Sequence, residues 1–161
     1  MEKDILERLY GKYHQRLTLY ALSLCRDPYL AEDLVQEAFL KAYLALPGET
    51  SSVFYWLMRV LRNLLIDHQR RQRFLSPEEP ESIAEGAEDT VLRWEEIRLL
   101  YRAISALEAH DREILALFYF AQMPLGQIAE LLGLSEGAAK VRLHRARQRL
   151  KRRMEEDGYE I

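Results

Sequence analysis

The stretch that decides the fold is LGQIAELLGLSEGAAKVRLHRARQRLKRR, which runs from Leu125 to Arg153. Its pattern predicts a helix, a tight turn and a second helix, because Gly133 suits the left-handed position after a helix and Ser135 suits the next N-cap. Along the second helix, small and aliphatic residues recur at the spacing of one helical face. This face would pack on the preceding helix, and its members are Ala139, Leu143, Ala146 and Leu150.

The opposite side of the second helix is small, polar and cationic. A helix-turn-helix places such a face in the DNA major groove, where Arg can bond guanine, Gln can bond adenine and an aliphatic side chain can meet a thymine methyl. The alternative is a solvated surface helix, but surface helices usually mix both signs of charge. We therefore predict a DNA-reading face made of Gly137, Val141, His144, Arg145 and Gln148, flanked by Lys140, Arg142 and Arg149.

This positive segment belongs to a chain whose formal net charge is −3. The acidic residues concentrate between Ser76 and Glu96, where prolines and a glycine interrupt the helical pattern, as is typical of a flexible linker. On both sides, apolar residues recur every three or four positions and strand signals are nearly absent. We predict an all-α fold of two small helical domains, residues 1–75 and 93–161, joined by a flexible acidic linker at 76–92.

Capping and turn residues divide the two domains into helices. Asp27 can cap a second helix that has Pro28 at its first position, and PGETSS at 47–52 breaks the chain before a third. The first domain is thus expected to be a bundle of three or four helices. In the second domain, Asp111 is expected to cap the helix of DREILALFYFAQ.

The first domain carries two candidate binding surfaces. The polar side of its second helix holds Asp33, Gln36 and Glu37, with Phe39 and Tyr43 nearby, which suits a protein partner but is also typical of a solvated face. The third helix combines aromatic and cationic residues, which suits single-stranded nucleic acid by stacking and charge, although the aromatic triplet Phe54–Trp56 could equally be core. The polar candidates on this helix are Arg59, Arg62, Asn63, Asp67, Arg70 and Arg71.

Other classes of function find little support. Cys25 is the only cysteine, so an internal disulfide and a thiolate metal cluster are excluded. The four histidines have no metal-ligand spacing, there is no glycine-rich phosphate loop, and we expect no metal, no cofactor and no catalytic residue. With no membrane span and no secretory signal, a cytoplasmic protein is expected. A stand-alone helix-turn-helix repressor is one alternative, and a nucleic-acid-modifying enzyme is a weaker one.

Three segments, taken in order, resemble the sigma-70 family of bacterial transcription initiation factors, and most of all its extracytoplasmic-function (ECF) group. AEDLVQEAFLKAY, at 31–43, resembles the core-polymerase-binding helix of region two. WLMRVLRNLLIDHQRR, at 56–71, resembles the segment that opens and reads the minus-ten element. LGQIAELLGLSEGAAKVRLHRARQRLK, at 125–151, resembles region four, which reads the minus-thirty-five element.

The resemblance implies a mechanism and its partners. Asp33, Gln36 and Glu37 would bind core RNA polymerase, and region four would place its recognition helix on promoter duplex. A base flipped from the opened non-template strand would enter a pocket formed by Gly48 to Ser52 with Val53 and Phe54. The resemblance also implies an anti-sigma factor, often membrane-anchored, and no small-molecule substrate. The remaining minus-ten contacts would come from Trp56, Arg59, Asn63, Asp67, Arg70 and Arg71.

Overall fold

In the computed structural model, residues 1–75 and 95–158 are described, and every regular element within these two ranges is a helix. The prediction of an all-α fold is confirmed. The chain divides into two compact units, Met1–Ala87 and Glu88–Ile161. The predicted linker at 76–92 lies outside the described residues, so the predicted domain limits stay predictions.

The first unit is a bundle of three helices: α1 (Lys3–Cys25), α2 (Pro28–Ala45) and α3 (Val53–Leu75). Each helix contributes a buried stripe to the common core, because apolar residues recur on one side of it. The predicted start of α2 is confirmed, since Asp27 Oδ1 accepts hydrogen bonds from the backbone N–H groups of Tyr29 and Leu30 at 3.0 and 3.3 Å. The largest fully buried side chains of this unit are Leu9, Leu17, Tyr20, Leu22, Leu57, Met58, Leu61 and Leu65.

The second unit contains α4 (Glu95–Ser105), α5 (Ala109–Leu115), one π-helical turn (Ala116–Phe120), α6 (Leu125–Leu132) and α7 (Glu136–Glu156). The predicted turn between α6 and α7 is confirmed: Gly133 has φ +69°, and Ser135 Oγ accepts a hydrogen bond from the Ala138 N–H at 3.1 Å. The predicted core face of α7 is also confirmed, because all four of its residues are buried.

The predicted cap of α5 is wrong. Glu108 occupies the N-cap position and its side chain makes no capping hydrogen bond, whereas Asp111 lies inside the first turn and is buried. The reason is a long-range ion pair with α7, described below, which draws the Asp111 carboxylate into the domain. Across the two described ranges, each helix is too short or too polar to cross a bilayer.

Cys25, at the end of α1, is a partly buried thiol. Its Sγ donates to the backbone oxygen of Asp27 at 3.4 Å. Burial, which disfavours the thiolate, raises the pKa of Cys25 to about 11. The folded protein therefore keeps this thiol neutral at physiological pH.

We expect iodoacetamide to alkylate native Cys25 slowly at pH 8, with a rate that rises toward pH 11. The urea-unfolded chain, as the control, should follow an ordinary thiol pKa of about 8.5. Because the folded pKa is the higher one, the stabilisation linked to this thiol is complete below about pH 8.5 and is lost as the pH rises toward 11. Equal alkylation rates of native and unfolded chains at pH 8 would contradict the burial of Cys25.

Candidate polymerase and nucleic-acid interfaces

The predicted protein-binding residues lie together on one exposed side of α2. Asp33, Gln36 and Glu37 are all exposed, and the buried residues of α2 occupy the opposite side. Four large apolar or aromatic residues are exposed on this helix as well: Tyr29 (80%), Leu40 (56%), Tyr43 (36%) and Leu44 (75%).

The polar and apolar residues on this side of α2 form one continuous surface. At 100° per residue, all seven fall within an arc of about 120°. We call Tyr29, Asp33, Gln36, Glu37, Leu40, Tyr43 and Leu44 the α2 face. Sequence reasoning alone missed Tyr29, Leu40 and Leu44 as members of this site, although their helical spacing puts them on the same side as Asp33, Gln36 and Glu37. Exposed apolar side chains bordered by polar residues are typical of a protein–protein interface.

Phe39 does not contribute to the α2 face. Its side chain is buried, and its ring meets that of Tyr10 edge-on at a centroid distance of 5.0 Å. Phe39 points to the core because it lies on the same side of α2 as Val35 and Ala42, both of which are buried. The aromatic character of the exposed face therefore comes from Tyr29 and Tyr43.

The loop between α2 and α3 is exposed at its polar residues. Thr50, Ser51 and Ser52 are exposed, Gly48 is partly exposed, and Thr50 Oγ1 lies 3.1 Å from Ser52 Oγ. The backbone of this loop continues directly into α3, since the Trp56 N–H donates to the Ser52 oxygen at 2.9 Å. A side chain at position 48 would meet open space, so no steric conflict within the fold requires glycine there.

The predicted assignment of Val53 to a surface pocket is wrong, because its side chain is only 1% exposed. Phe54 is partly buried against α1: its ring centroid lies 4.9 Å from that of Tyr13 and 4.0 Å from Arg16 Cζ. These two residues begin α3, where the chain must pack against α1 to close the bundle. The structure therefore gives both of them packing roles that local sequence did not reveal.

The other minus-ten candidates share one side of α3. Arg59, Asn63, Asp67, Arg70 and Arg71 are exposed, and Trp56 is partly buried. At 100° per residue the six fall within an arc of about 120°. An exposed surface with an indole at one end and several guanidinium groups can bind single-stranded nucleic acid through stacking and phosphate contacts.

The candidate DNA-reading face of α7 is exposed as predicted. Gly137, Lys140, His144, Arg145 and Gln148 are all exposed, Val141 is 48% exposed, and Arg142 is partly buried. Because Ala139, Leu143, Ala146 and Leu150 face the core, the helix is held with its cationic side outward. The small residues at its N-terminal end allow close approach to a duplex.

Arg149 has a partner inside the second unit. Its Nη1 lies 2.9 and 3.1 Å from the two carboxylate oxygens of Asp111, a residue only 3% exposed. The Arg149 side chain is itself 51% exposed. Its Nη1 therefore bonds Asp111 within the fold, while part of the side chain remains in contact with solvent. The 38 residues that separate the pair explain why no local pattern predicted it.

Comparison with known proteins gives two family matches. The model for sigma-70 region 2 matches residues 9–74, and the model for sigma-70 region 4 matches residues 97–150. The chain is 32% identical over 151 residues to the ECF RNA polymerase sigma factor SigM of Bacillus subtilis, covering 91% of this chain and 93% of SigM. It is also 32% identical over 164 residues to SigL of Mycobacterium tuberculosis, covering 98% of this chain and 93% of SigL.

Two solved structures share the fold. One is the sigma factor RpoE of Bartonella quintana in complex with the anti-sigma factor NepR, with a TM-score of 0.68 and 23% identity over 96% of this chain and 98% of that one. The other is CnrH in complex with the cytosolic domain of CnrY, with a TM-score of 0.69 and 23% identity over 97% of this chain and 91% of that one. The two family models and the two relatives agree: the chain belongs to the sigma-70 family, as an ECF RNA polymerase sigma factor.

Proposed function

We propose that this sigma factor binds core RNA polymerase through the α2 face and directs it to promoters through α3 and α7. The observation that carries the proposal is the order of three exposed surfaces along one chain: an acidic and apolar helix, an aromatic and cationic helix, and a cationic recognition helix. A stand-alone repressor needs only the third surface. A sigma factor needs all three, because it binds core RNA polymerase, the minus-ten element and the minus-thirty-five element.

On the α2 face, Asp33, Gln36 and Glu37 supply the polar contacts to polymerase. Leu40 and Leu44 supply apolar area that becomes buried when the complex forms, which is the usual anatomy of a stable interface. Negative charge at Asp33 and Glu37 favours a basic partner surface and speeds encounter with it.

In the first unit, the loop at 48–52 and the exposed side of α3 bind the minus-ten element. Gly48 and Ser52 border the pocket for the flipped base, and Trp56 and Asn63 lie on the neighbouring helix surface. Arg59, Arg70 and Arg71 contact the non-template strand through its phosphates. Phe54 supports the pocket from the side that packs on α1.

In the second unit, α7 enters the major groove of the minus-thirty-five element. Lys140, Val141, Arg145 and Gln148 reach base edges near the N-terminal and central turns of the helix, while Arg142 and the exposed part of Arg149 reach phosphates. Gly137 and His144 complete this face.

We further propose an anti-sigma factor as the protein that holds the free factor inactive, because the sigma factor RpoE, which shares this fold, was solved in complex with the anti-sigma factor NepR. The chain acts in the cytoplasm, where its polymerase and promoter lie. It is not an enzyme, and the chemistry of transcription belongs to the polymerase it recruits. No small-molecule substrate is involved.

Run-off transcription with purified core RNA polymerase tests the proposed function. The template is a promoter selected from random DNA by the reconstituted holoenzyme. We expect transcripts of a single start site with core and factor together, and none with either alone. Tight DNA binding by the factor alone, with no core-dependent transcript, would favour a repressor.

We expect Lys140→Ala and Arg145→Ala each to weaken binding to the minus-thirty-five duplex by about 1–3 kcal/mol if the side chain reads a base. Both residues are exposed on or beside the outward side of α7. Competition between duplexes changed at single minus-thirty-five positions, measured with holoenzyme, checks this result. Lys151→Ala is the control: this exposed cation lies three turns beyond Lys140 on α7, and its loss should weaken binding to all sequences alike. Unchanged binding in both variants would remove α7 from the DNA interface.

A further inference from the structure

The chain that leads from the α2–α3 loop into the first turn of α3 contacts α1 at two points. These points lie one on each side of three exposed loop residues. The first point is Glu49 and the second is Phe54, while Thr50, Ser51 and Ser52 lie between them. The contacted side of α1 is built from residues at regular helical spacing, namely Arg8, Lys12, Tyr13 and Arg16.

At the first point, two cations share one carboxylate. Arg8 Nη2 donates to Glu49 Oε2, and Lys12 Nζ lies 3.9 Å from Glu49 Oε1. Arg8 and Lys12 are four residues apart, so they lie one above the other on the same side of α1. The Glu49 side chain is only 34% exposed although it belongs to a surface loop. The Arg8 contact connects residues 41 positions apart, and the two contacts together tie the middle of the loop to α1.

At the second point, Phe54 lies against an aromatic ring and a cation. Arg16 Cζ is 4.0 Å from the centroid of Phe54 and 5.6 Å from that of Tyr13. A guanidinium over an aromatic face is attracted by the ring quadrupole, and partial burial strengthens the attraction. Arg16 is partly buried, and desolvation lowers its pKa. The first turn of α3 is therefore held against α1 by a contact that does not depend on the Glu49 ion pair.

The segment between the two points has its own internal bonds. The Val53 N–H donates to the Thr50 oxygen at 3.3 Å, and the hydroxyl oxygens of Thr50 and Ser52 are 3.1 Å apart. With both ends attached to α1, this short segment has one preferred shape before any ligand arrives. Recognition of a single base requires such a shape, because groups held in place beforehand lose little entropy on binding.

We propose that Arg8, Lys12 and Arg16 of α1, acting through Glu49 and Phe54, are positioning residues that set the base preference of the minus-ten loop without contacting DNA. The proposal rests on the proposed function, which places the flipped base at residues 48–52. It assigns a role in promoter selectivity to a helix that otherwise contributes only packing to the first unit.

The test compares base preference, with the full chain bound to core RNA polymerase. Run-off rates are measured on a promoter selected by the wild-type holoenzyme and on single-base changes at each minus-ten and minus-thirty-five position. The variants are Glu49→Gln, Arg8→Gln and their combination, with Arg16→Met for the second point. Lys3→Gln is the control, because Lys3 is an exposed cation at the start of the same helix. Arg8→Lys keeps the positive charge at this position and tests whether that charge is enough to retain the minus-ten preference.

We expect Glu49→Gln and Arg8→Gln each to reduce minus-ten discrimination by roughly two- to fivefold, the factor that corresponds to an exposed ion pair. The combination should cause no greater loss than Glu49→Gln alone, since that change already removes the carboxylate shared by Arg8 and Lys12. Arg16→Met should have the same effect independently, and Arg8→Lys should retain most of the preference. Minus-thirty-five discrimination should stay at the wild-type value, and the thermal midpoint should fall by no more than about 8 °C, the shift that corresponds to the loss of one exposed ion pair in a domain of this size.

Two results would overturn the proposal. Unchanged minus-ten preference in Glu49→Gln, Arg8→Gln and Arg16→Met would show that α1 does not position the loop. An equal loss of rate on every promoter in Arg8→Gln would assign Arg8 to a phosphate or polymerase contact instead. A wild-type holoenzyme with no preference at any minus-ten position would overturn the proposed function of the loop itself, and that outcome is visible before any variant is made.

Discussion

Replacing Asp33 and Glu37 together by lysine is expected to lower the affinity for core RNA polymerase by at least about a hundredfold, since like charges opposed across an interface cost several kcal/mol. Both residues are exposed, one turn apart on the α2 face, and neither contributes to the core of the bundle. Helical content and thermal stability should therefore be retained. Competition with labelled wild-type factor for a limiting amount of core measures the effect.

The matched control is Asp4→Lys with Glu7→Lys, which makes the same change in net charge at exposed positions of α1. This control should compete for core almost as well as the wild type. Leu44→Ser, in the apolar part of the α2 face, should also weaken binding without changing charge, because Leu44 is 75% exposed in the free chain. Wild-type affinity in the Asp33 and Glu37 double variant would exclude the α2 face as the polymerase interface.

Replacing Arg149 by methionine is expected to destabilise the second unit by about 3 kcal/mol, because it leaves the carboxylate of Asp111 buried without its cation. This loss of stability lies at the lower end of the range for breaking a buried ion pair, because half of the Arg149 side chain is exposed and solvent screens its charge. In a unit of this size the thermal midpoint should fall by roughly 10–20 °C. Calorimetry of the full chain should show this loss in the transition of the second unit.

A double variant separates the ion pair from simple packing. Asp111→Leu combined with Arg149→Met removes both charges, and it should recover most of the stability lost by Arg149→Met alone. Arg152→Met, an exposed cation on the same helix, is the control and should leave the midpoint within about 2 °C of the wild type. Additive losses in the double variant would show that Asp111 and Arg149 stabilise the fold separately.

These two residues also bear on DNA binding. Arg149 was predicted from its helix position to contact DNA, and the structure gives its guanidinium an intramolecular partner. The ion pair with Asp111 joins α7 to α5 at Arg149, one turn after Arg145 and next to Gln148. Because the exposed part of Arg149 is also proposed to contact phosphate, Arg149→Met should weaken promoter binding even at temperatures where the second unit remains folded. A loss of DNA binding only in proportion to the unfolding of the second unit would remove Arg149 from the DNA contacts.

The sequence by itself determined the features that depend on near neighbours. Helical periodicity separated Ala139, Leu143, Ala146 and Leu150 from the exposed cations of α7, because side chains three and four residues apart share one side of a helix. Asp27, Gly133 and Ser135 marked helix ends, since a cap bonds backbone groups within three or four positions. The two sigma-70 regions were recognisable for the same reason: each is a local pattern.

The pairing of polar side chains inside the fold depends on contacts between residues distant in sequence. Local sequence predicts Asp111 as a helix cap, but this residue bonds Arg149, and Glu49 contacts Arg8 across 41 positions. Local sequence likewise predicts Phe39 and Val53 at binding surfaces, yet both are buried because neighbouring helices cover them. Periodicity gives the side of a helix on which a residue lies, but it does not say what packs there. That depends on how helices distant in sequence cross, and the crossing is set by the combined packing of all their side chains.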